Sequence, residues 1–553
     1  MSVIGIDYGN KTTKLCSFYN GVFKNINSET DGRVFPSLVV FDNNIRYFSD
    51  FAKSKQKRCI QQIVYNIKSK IHDDEYMAHL VLDEGDTTKY MINGFKLAYM
   101  YLTYIHKYVR TKVRPDLYVH SFPDDYSPME LMNYRNILET NKKMVSSMNY
   151  LLVPESVAIS LDYGLYRIAN NEFMEKKSVL FIDIGCVNIS FYVVDYFEKS
   201  ITISFQWSLK DCGSIQMDKL LLQYVLEHFK SKLDECGVEI EDDIVEKKMI
   251  KNVFIECESI RKNLNTSKEI RIYMDSLYRD YHLDIRLKRE KYLQIIQSIV
   301  DKFKNTIEII HKNFSFHSVE FVGAFSRFFV FKEIAQHFFK KIHTTLNVEE
   351  SVSKGACIYG ANFLPTYKNI DIDIKYKYGR SLFIRLNGKS ERLIGEDDYL
   401  PFVTRIPLPR RECTIEIFEG ESEIYHERMN MKQLFLSLKI RLDKIHHFVV
   451  EYMNENNKMS IQELNVYCIG DKVDTQLIIL ERKLSQRDKD HVDKINLINH
   501  MEEKLFEQKR DEEVMNNKFK RKHVDDLLEW LEKDSSNCSL EEIKEKYDEM
   551  FED

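Results

Sequence analysis

The chain carries one short pattern twice, first in VIGIDYGNKTTKLCSF at residues 3–18 and again in SVLFIDIGCVNISFYVV at residues 178–194. Each copy has an apolar run that ends in an aspartate, then a turn that contains glycine, then a second β-rich run. Such runs on either side of a tight turn are typical of a β-hairpin. The two copies lie about 175 residues apart. An internal repeat of this kind predicts two similar subdomains that face each other.

The residues of these turns suggest a phosphate ligand. A glycine turn allows backbone N–H groups to approach phosphate oxygens closely, and an aspartate at a strand end can hold hydrated Mg²⁺. A third glycine turn, from Gly323 to Arg327, follows another predicted strand. A single Asp-x-Gly turn is most often an ordinary hairpin. The repeat together with the third turn instead predicts a clamp around a nucleoside triphosphate.

Composition and charge exclude several classes of protein. The 80 basic and 86 acidic residues give a net charge of −6, without the basic excess that a nucleic-acid-binding face needs. The ten cysteines are scattered without a CxxC pair, which is typical of reduced thiols rather than of a structural metal site. The N-terminus lacks the pattern of a signal peptide, and no apolar run has the length of a membrane span. We therefore expect a cytoplasmic protein that binds neither nucleic acid nor membrane.

The sequence changes character twice, which predicts three domains. Strands and helices alternate over residues 1–363, and a polar segment at 364–373 is the expected linker. Residues 374–470 contain short alternating strands that predict a β-sandwich. Residues 471–553 are rich in Lys, Glu, Leu and Met, which favours a C-terminal helical bundle. Ser539 and Glu542 have the spacing of a capping box before the last helix. The predicted fold class is therefore α/β, then β, then α.

Six segments come in the order and spacing found in the heat-shock-protein-70 chaperone family, which the chain resembles along nearly its whole length. They are IGIDYGNKTTKL, LLVPESVAISLDYG, VLFIDIGCVNISFYVV, CESIRKNL, VEFVGAFSRF and LNVEESVSKGACIYGA. The resemblance implies an actin-like ATPase fold for residues 1–363, with ATP and Mg²⁺ as cofactors. It is weaker in the β and helical regions.

The resemblance also implies roles for individual residues. Asp7 and Asp183 would orient the metal, Lys68 would be the catalytic lysine, and Glu155 would help to set the metal's water shell. Taken alone, Lys68 would be read as a surface lysine on a helix. Pro123 falls on the proline that links nucleotide state to interdomain signalling. The implied contacts to phosphate and adenosine are Gly9, Asn10, Lys11, Gly185, Cys186, Asn188, Glu258, Arg261, Lys262, Gly323, Arg327 and Glu349.

The chain departs from the family at several of these turns. The second hairpin reads Gly-Cys-Val-Asn at 185–188, where the family has three glycines and a threonine. Asn10 and Lys11 replace paired threonines, residues 213–216 read Gly-Ser-Ile-Gln in place of Gly-Gly-Glu-Asp, and Phe325 stands where a small residue is usual. Whether its ring blocks the adenine pocket stays open at this point. Because the carboxylates remain while the groups near the γ-phosphate have changed, we expect ATP binding with weak or absent hydrolysis.

Two features resemble the heat-shock-protein-110 branch in particular, namely Asn10 and the segment at residues 393–420. That branch implies a nucleotide-exchange factor in the stress response, a monomer that pairs with a conventional heat shock protein 70 and aids the folding of unfolded polypeptides. The long acidic insertion of the branch is absent from this sequence. Two alternatives stay open: an ATP-hydrolysing foldase whose β-domain binds extended peptides, and a nucleotide-free holdase or scaffold.

Overall fold

A computed structural model describes residues 1–72, 75–80, 90–145, 148–364, 371–408, 413–429, 434–444, 446–453, 459–464, 474–511, 517–535 and 538–551. The described residues divide into two compact units. The first comprises Met1–Val40, Phe48–Met77 and Ile92–Val473, and the second Phe41–Tyr47, Ala78–Met91 and Asp474–Asp553. Most of the expected linker and the expected boundary near residue 470 lie outside the described residues, so the domain limits stay predictions.

Twenty-eight strands are found in the described part of the chain. Those before residue 155 are β1 Ser2–Tyr8, β2 Thr12–Tyr19, β3 Val22–Asn25, β4 Phe35–Pro36, β5 Leu38–Asp42, β6 Ile45–Phe48, β7 Ile63–Tyr65, β8 Tyr76–Leu80, β9 Tyr90–Asn93, β10 Leu117–Phe122 and β11 Tyr150–Pro154. Those from 177 to 343 are β12 Lys177–Ile184, β13 Ile189–Phe197, β14 Ser200–Leu209, β15 Glu269–Tyr278, β16 Tyr281–Lys288, β17 Ser318–Val322 and β18 Ile342–His343. The remaining strands are β19 Asp373–Lys377, β20 Leu382–Leu386, β21 Lys389–Ile394, β22 Tyr399–Leu400, β23 Phe402–Leu408, β24 Cys413–Glu419, β25 Ser422–Met429, β26 Leu434–Ile440, β27 His446–Met453 and β28 Met459–Leu464.

Thirteen α-helices accompany these strands in the same described ranges. They are α1 Ser49–Lys55, α2 Gly94–Lys112, α3 Pro128–Met144, α4 Glu155–Ala169, α5 Ser214–Glu235, α6 Asp243–Thr266, α7 Arg289–Ile295, α8 Gln297–Asn313, α9 Phe329–Phe338, α10 Ser351–Ala361, α11 Thr475–Arg510, α12 Lys518–Lys533 and α13 Leu540–Phe551. None of these helices is both long and apolar enough to cross a bilayer.

The predicted repeat is confirmed in two sheets of the first unit. One has the strand order β11-β10-β1-β2-β3, and the other has the order β18-β17-β12-β13-β14-β19-β22. In each sheet the leading strand of the hairpin, β1 or β12, pairs antiparallel with its hairpin partner and parallel with a later strand, β10 or β17. Every residue of β1 is buried, as expected for a central strand with both faces covered. The repeat therefore brings two Asp-ended strands to comparable positions in two sheets.

The β-rich region that follows has two parts. Strand β19 pairs in parallel with β14 and extends the second sheet, with Asp373 opposite Ser200. The later strands form two four-stranded antiparallel sheets, β21-β20-β24-β25 and β23-β26-β27-β28. Alternate residues of β24 are buried, and buried side chains from both sheets belong to one hydrophobic cluster. This alternation is what a two-sheet β structure requires.

The second unit is built on the C-terminal helices. Its core consists of Met501, Leu505, Val524, Leu531 and Ile543. The expected capping box is confirmed, because the Ser539 N–H donates to Glu542 Oε2 at 2.6 Å and the Glu542 N–H donates to Ser539 Oγ at 3.2 Å. Within this unit, Arg46 is buried and forms ion pairs with Glu481 and Asp488 of α11 at 2.6 and 2.8 Å.

Candidate functional site

A cavity of about 630 Å³ lies in the first unit, between the two Asp-ended hairpins. This volume is in the range of small-molecule sites. The cavity brings together every site residue that the sequence predicts. They are Asp7, Gly9, Asn10, Lys11, Lys68, Pro123, Glu155, Asp183, Gly185, Cys186, Asn188, Glu258, Arg261, Lys262, Gly323, Arg327 and Glu349. Their roles stay predictions, but their convergence on one cavity is a property of the fold.

The first hairpin contributes acidic and basic groups to the cavity. The register of β1 and β2 places Lys14 directly opposite Asp7. Their side chains form an ion pair, with Lys14 Nζ 3.1 Å from Asp7 Oδ2. In the turn, Asn10 Oδ1 accepts a hydrogen bond from the Ser69 N–H at 2.7 Å. Asn10 thereby links the hairpin to the 3₁₀ turn Lys68–Lys70.

Asp183 is the penultimate residue of β12, the leading strand of the second hairpin, and lies beside Gly323. A Cβ added at Gly323 would lie 2.4 Å from Asp183 Oδ1, and the backbone φ of +82° also favours glycine there. Burial raises the pKa of Asp183 to about 7, and the carboxylates of Glu155 and Asp7 add to the rise while Lys14 and Lys68 oppose it. Three carboxyl groups and two ammonium groups therefore interact closely in the centre of the cavity.

The turn of the second hairpin is tied to the loop before α5. The Gly213 N–H donates to Val187 O at 2.7 Å and the Ile215 N–H donates to Cys186 O at 2.9 Å. Burial raises the pKa of the Cys186 thiol to about 11, so this side chain stays a neutral thiol at physiological pH. Residues 185–188 thus present a thiol and an amide to the cavity, and no hydroxyl group.

Lys68 and Glu155 form a buried ion pair at the floor of the cavity. Lys68 Nζ lies 3.1 Å from Glu155 Oε1, and Glu155 is the first residue of α4. Burial by itself would lower the pKa of Lys68, but Glu155 and Asp7 outweigh it and raise that pKa. Lys68 is therefore a fixed positive charge directed into the cavity, although a lysine in such a turn would otherwise be expected at the surface.

On the side of the cavity formed by α6, the Glu258 carboxylate forms ion pairs with two lysines. Lys11 Nζ lies 2.7 Å from Glu258 Oε2, and Lys262 Nζ lies 2.8 Å from Glu258 Oε1. Burial would raise the pKa of Glu258, but the two ammonium groups outweigh it and hold that pKa at about 2. Lys11 belongs to the first hairpin, so this ion pair crosses the cavity.

The third glycine turn directs Phe325 toward the core. Phe325 is only 8% exposed and belongs to the core of the second sheet, where its ring stacks on Phe328 with centroids 5.2 Å apart. The Arg261 guanidinium covers the ring at 4.6 Å and is held by Asp218, with Nε donating to Oδ1 at 2.7 Å. The ring therefore forms part of the cavity wall and packs mainly into the core.

Two further predicted residues lie at the edges of the cavity. Arg327 Nη1 pairs with Glu349 Oε1 at 2.5 Å at the rim. Pro123 begins a loop whose next residue, Asp124, accepts the Ser156 N–H at 2.9 Å beside Glu155. Lys444 of the β region donates to Asp124 O at 2.7 Å. The Pro123 loop thus connects the cavity floor with the β region.

The carboxylates in the centre of the cavity are only partly suited to the Mg²⁺ that the family resemblance implies. Asp7 and Asp183 offer oxygen ligands of the type that Mg²⁺ prefers. However, the Lys14 ammonium already lies on one oxygen of Asp7, and a positive charge so close repels a second cation. The side chains in this arrangement do not fit a magnesium ion on Asp7. Magnesium binding therefore stays an implication of the family resemblance, which the ion pair with Lys14 opposes at Asp7.

Sequence reasoning missed Lys14 and Asp218. Lys14 is found only through the register of the hairpin, which the length of the turn sets. Asp218 lies 43 residues from its partner Arg261, and nothing local to either residue indicates the pair.

Known proteins of similar sequence carry heat-shock names. "Heat shock protein 88" of Dictyostelium discoideum is 24% identical over 393 residues, which are 66% of this chain and 50% of the relative. "Heat shock 70 kDa protein 4L" of Homo sapiens is 22% identical over 428 residues, 72% of this chain and 50% of the relative. A heat shock protein homolog of Saccharomyces cerevisiae is 22% identical over 394 residues, with coverages of 66% and 55%. The chain thus spans about half the length of these relatives, which support the predicted likeness to the heat-shock-protein-110 branch.

A family model described as "Hsp70 protein" matches residues 3–96 and 146–553. The matched ranges include both Asp-ended hairpins, the Gly323 turn, the β region and the C-terminal helices. The chain therefore belongs to the Hsp70 protein family, as the order of its motifs predicts.

Proposed function

We propose that this protein binds ATP in the cavity and acts as a nucleotide-exchange co-chaperone for a conventional heat shock protein 70 in the cytoplasm. We assign residues 1–363 to an actin-like nucleotide-binding domain, 374–470 to a β-sandwich and 471–553 to a helical domain. One observation carries the proposal. The cavity retains Asp7, Asp183 and the Lys68–Glu155 pair, while its second turn has exchanged the hydroxyl expected near the γ-phosphate for Cys186, Val187 and Asn188.

The cavity has complementary ends for such a ligand. The adenosine would lie between α6, with Glu258 and Lys262, and the rim pair of Arg327 and Glu349. The phosphates would lie at the glycine turns, where backbone N–H groups and Lys68 are available to bind negative charge. Binding of ATP, unlike its hydrolysis, needs only that these hydrogen-bond donors and charged groups line the cavity.

Hydrolysis makes a stricter demand. Phosphoryl transfer depends on donors and cations that are already positioned around the transferred group. The Cys186 thiol is a weak donor, and the Val187 side chain has no donor at all. The turn therefore supports retention of the nucleotide more strongly than its cleavage.

Nucleotide would act as a ligand that selects one arrangement of the molecule. The Pro123 loop is the element suited to transmit it. On one side Asp124 binds Ser156, next to Glu155 in the cavity, and on the other side Arg380 donates to Tyr126 O and Lys444 donates to Asp124 O. A shift of α4 on nucleotide binding would therefore reach the β region through three hydrogen bonds.

The partner assignment follows the relatives, whose names are those of heat shock proteins. We propose that the chain is a monomer that forms a heterodimer with a conventional heat shock protein 70, and that unfolded polypeptides are further ligands. A stable complex of this kind buries on the order of 2,000 Å² or more.

The test is release of fluorescent ADP from a purified heat shock protein 70 over a concentration series of this protein, with and without ATP. We expect ATP-dependent acceleration. The proposed exchange function needs bound ATP but not its hydrolysis. A Lys68→Ala variant that still binds ATP should therefore still accelerate ADP release from the partner. No acceleration at any concentration, with ATP binding verified on the same sample, would exclude the exchange function.

The Lys68–Glu155 pair also favours a second function, an ATP-hydrolysing foldase. A buried lysine directed at the phosphate end is the group that this chemistry uses to stabilise the transferred phosphoryl group. Single-turnover hydrolysis well above background, abolished in Lys68→Ala, would favour the foldase over the exchange factor. No heat on titration with ATP would instead support a nucleotide-free scaffold.

A further inference from the structure

Lys14 is a charged group in the cavity that the proposed function does not use. It is the fourth residue after Asn10 and lies on β2, where strand pairing fixes it opposite Asp7. Its side chain is 14% exposed, and Nζ lies 3.1 Å from Asp7 Oδ2. A Cβ added at Gly9 would lie 3.6 Å from this Nζ, so the ammonium rests against the turn in which phosphate binding is expected.

The repeat within the chain supplies a comparison. In the second hairpin the residue opposite Asp183 is Ser190, whose hydroxyl is 3.0 Å from the hydroxyl of Ser208. A short neutral side chain is therefore compatible with this hairpin geometry. The lysine at position 14 is not required by the hairpin fold, which indicates a role in the charge of the cavity.

The positive charge of Lys14 can offset the negative charge of a bound triphosphate. The centre of the cavity holds the carboxyl groups of Asp7, Glu155 and Asp183, and a triphosphate would add further negative charge. Proteins commonly offset such charge with a divalent cation held by carboxylates. Here the position on Asp7 is taken by an ammonium, whose three N–H donors can bind a carboxylate and phosphate oxygens at the same time.

We propose that Lys14 takes the place of the divalent cation, so that this cavity binds a nucleoside triphosphate without metal. The inference rests on the proposed nucleotide binding and names the cation that the binding uses. In the complex, the Lys14 ammonium lies between Asp7 and the phosphates, and repulsion from this ammonium keeps a metal ion off Asp7.

The experiment is calorimetric titration of the full-length protein with ATP, in excess MgCl₂ and in excess EDTA. We expect the wild type to bind ATP at least as tightly in EDTA as in MgCl₂, because ATP must give up its magnesium ion to enter a cavity that binds it without metal. Lys14→Ser, which copies Ser190, should lose at least about tenfold in affinity in EDTA and regain it with Mg²⁺. Lys24→Ser, which removes an exposed lysine from neighbouring β3, should behave as the wild type.

A second measurement does not depend on the affinity of the variant. In equilibrium dialysis with ATP and Mn²⁺, the wild type should retain ATP without a stoichiometric metal ion, whereas Lys14→Ser should retain both. Wild-type binding that needs Mg²⁺, or a stoichiometric Mn²⁺ in the wild-type complex, would overturn the role of Lys14 and leave the proposed function standing. Absence of ATP binding in both buffers would overturn both proposals.

Discussion

The Lys11 ammonium of the first hairpin lies 2.7 Å from the Glu258 carboxylate of α6, and this contact directly joins two sides of the cavity between the hairpins. Both side chains are about one-third exposed, so water competes for them and the pair is weak. We predict that this bridge acts as a gate to the cavity, because a weak ion pair between its two sides opens at small cost. It also occupies Glu258, the residue that the family resemblance assigns to adenosine.

Lys11→Met should therefore speed the entry of nucleotide. A partly exposed ion pair contributes about 0.2–1 kcal/mol, so we expect the association rate constant for ATP to rise by up to about fivefold. Stopped-flow fluorescence with a labelled ATP measures this constant. The matched control is Lys57→Met, which breaks the pair with Glu256 of the same helix, 3.1 Å apart and outside the cavity lining. Equal acceleration in the two variants would contradict a gate at Lys11.

The sequence predicts the two hairpin turns and the capping box because these elements are local. Asp7 and Asp183 end short apolar runs next to glycine turns, and Ser539 and Glu542 are only three residues apart. Patterns of this length depend on hairpin and helix geometry that the neighbouring residues determine. The family resemblance then adds residues from distant segments, and the fold brings all of them to one cavity.

The features that the sequence does not predict are set by register and by contacts between distant segments. The length of the turn between β1 and β2 sets the register that pairs Lys14 with Asp7. A shift of this register by one residue would turn Lys14 to the other face of the sheet. The family resemblance leaves open where the Phe325 ring lies, because a small residue is usual at its position. In the structure the ring packs toward the core, where it stacks on Phe328 and is covered by the Arg261 guanidinium.

Phe325→Ala tests this placement. Truncation of a buried phenylalanine costs about 3–5 kcal/mol, so we expect a lower midpoint of unfolding by denaturant. Phe51→Ala, at a position that is 57% exposed, should change stability by less than about 0.5 kcal/mol. A ring that filled the adenine site would give the opposite pattern, with little loss of stability and tighter binding of ATP.

Gly323→Ala should act on the acidic centre of the cavity. A Cβ at this position would lie 2.4 Å from both Asp183 Oδ1 and the Ile184 carbonyl oxygen, so the end of β12 with its carboxylate must move, and ATP affinity should fall at least about tenfold. Gly388→Ala separates this effect from backbone strain. Gly388 has nearly the same φ, +83°, with no atom within 4 Å of the added Cβ, and its substitution should cost only about 1–2 kcal/mol of stability. A similar loss of affinity in both variants would show that the contact with Asp183 is irrelevant.

A buried histidine pair in the first sheet predicts how stability depends on pH. His106 Nε2 lies 3.1 Å from His120 Nε2, and His120 Nδ1 lies 3.1 Å from the Tyr134 hydroxyl. Two ring nitrogens at this distance share a hydrogen bond only when one of them carries no proton. Burial lowers the pKa of His106 to about 4, and burial together with His106 lowers the pKa of His120 well below its ordinary value. Both rings are therefore neutral in the folded protein at neutral pH.

The sign of the effect follows from the unfolded chain, in which a histidine titrates near pH 6.5. Above that pH both states carry neutral rings and the pair does not oppose folding. Between about pH 6.5 and 4 the unfolded chain takes up protons that the folded protein does not, so the free energy of unfolding falls as pH falls. For His106 alone the loss by pH 4 is on the order of 3 kcal/mol.

His106→Gln should remove most of the fall in unfolding free energy that His106 causes, because a glutamine side chain forms hydrogen bonds and does not titrate. We expect the difference in unfolding free energy between wild type and variant to shift in favour of the variant as pH falls from 6.5 to 4. His228→Gln, at an exposed position on α5, should leave the pH profile of the wild type unchanged. A wild-type-to-His106→Gln difference that stays constant with pH would mean that the buried ring is already protonated near neutrality, and that the Nε2–Nε2 contact is repulsive.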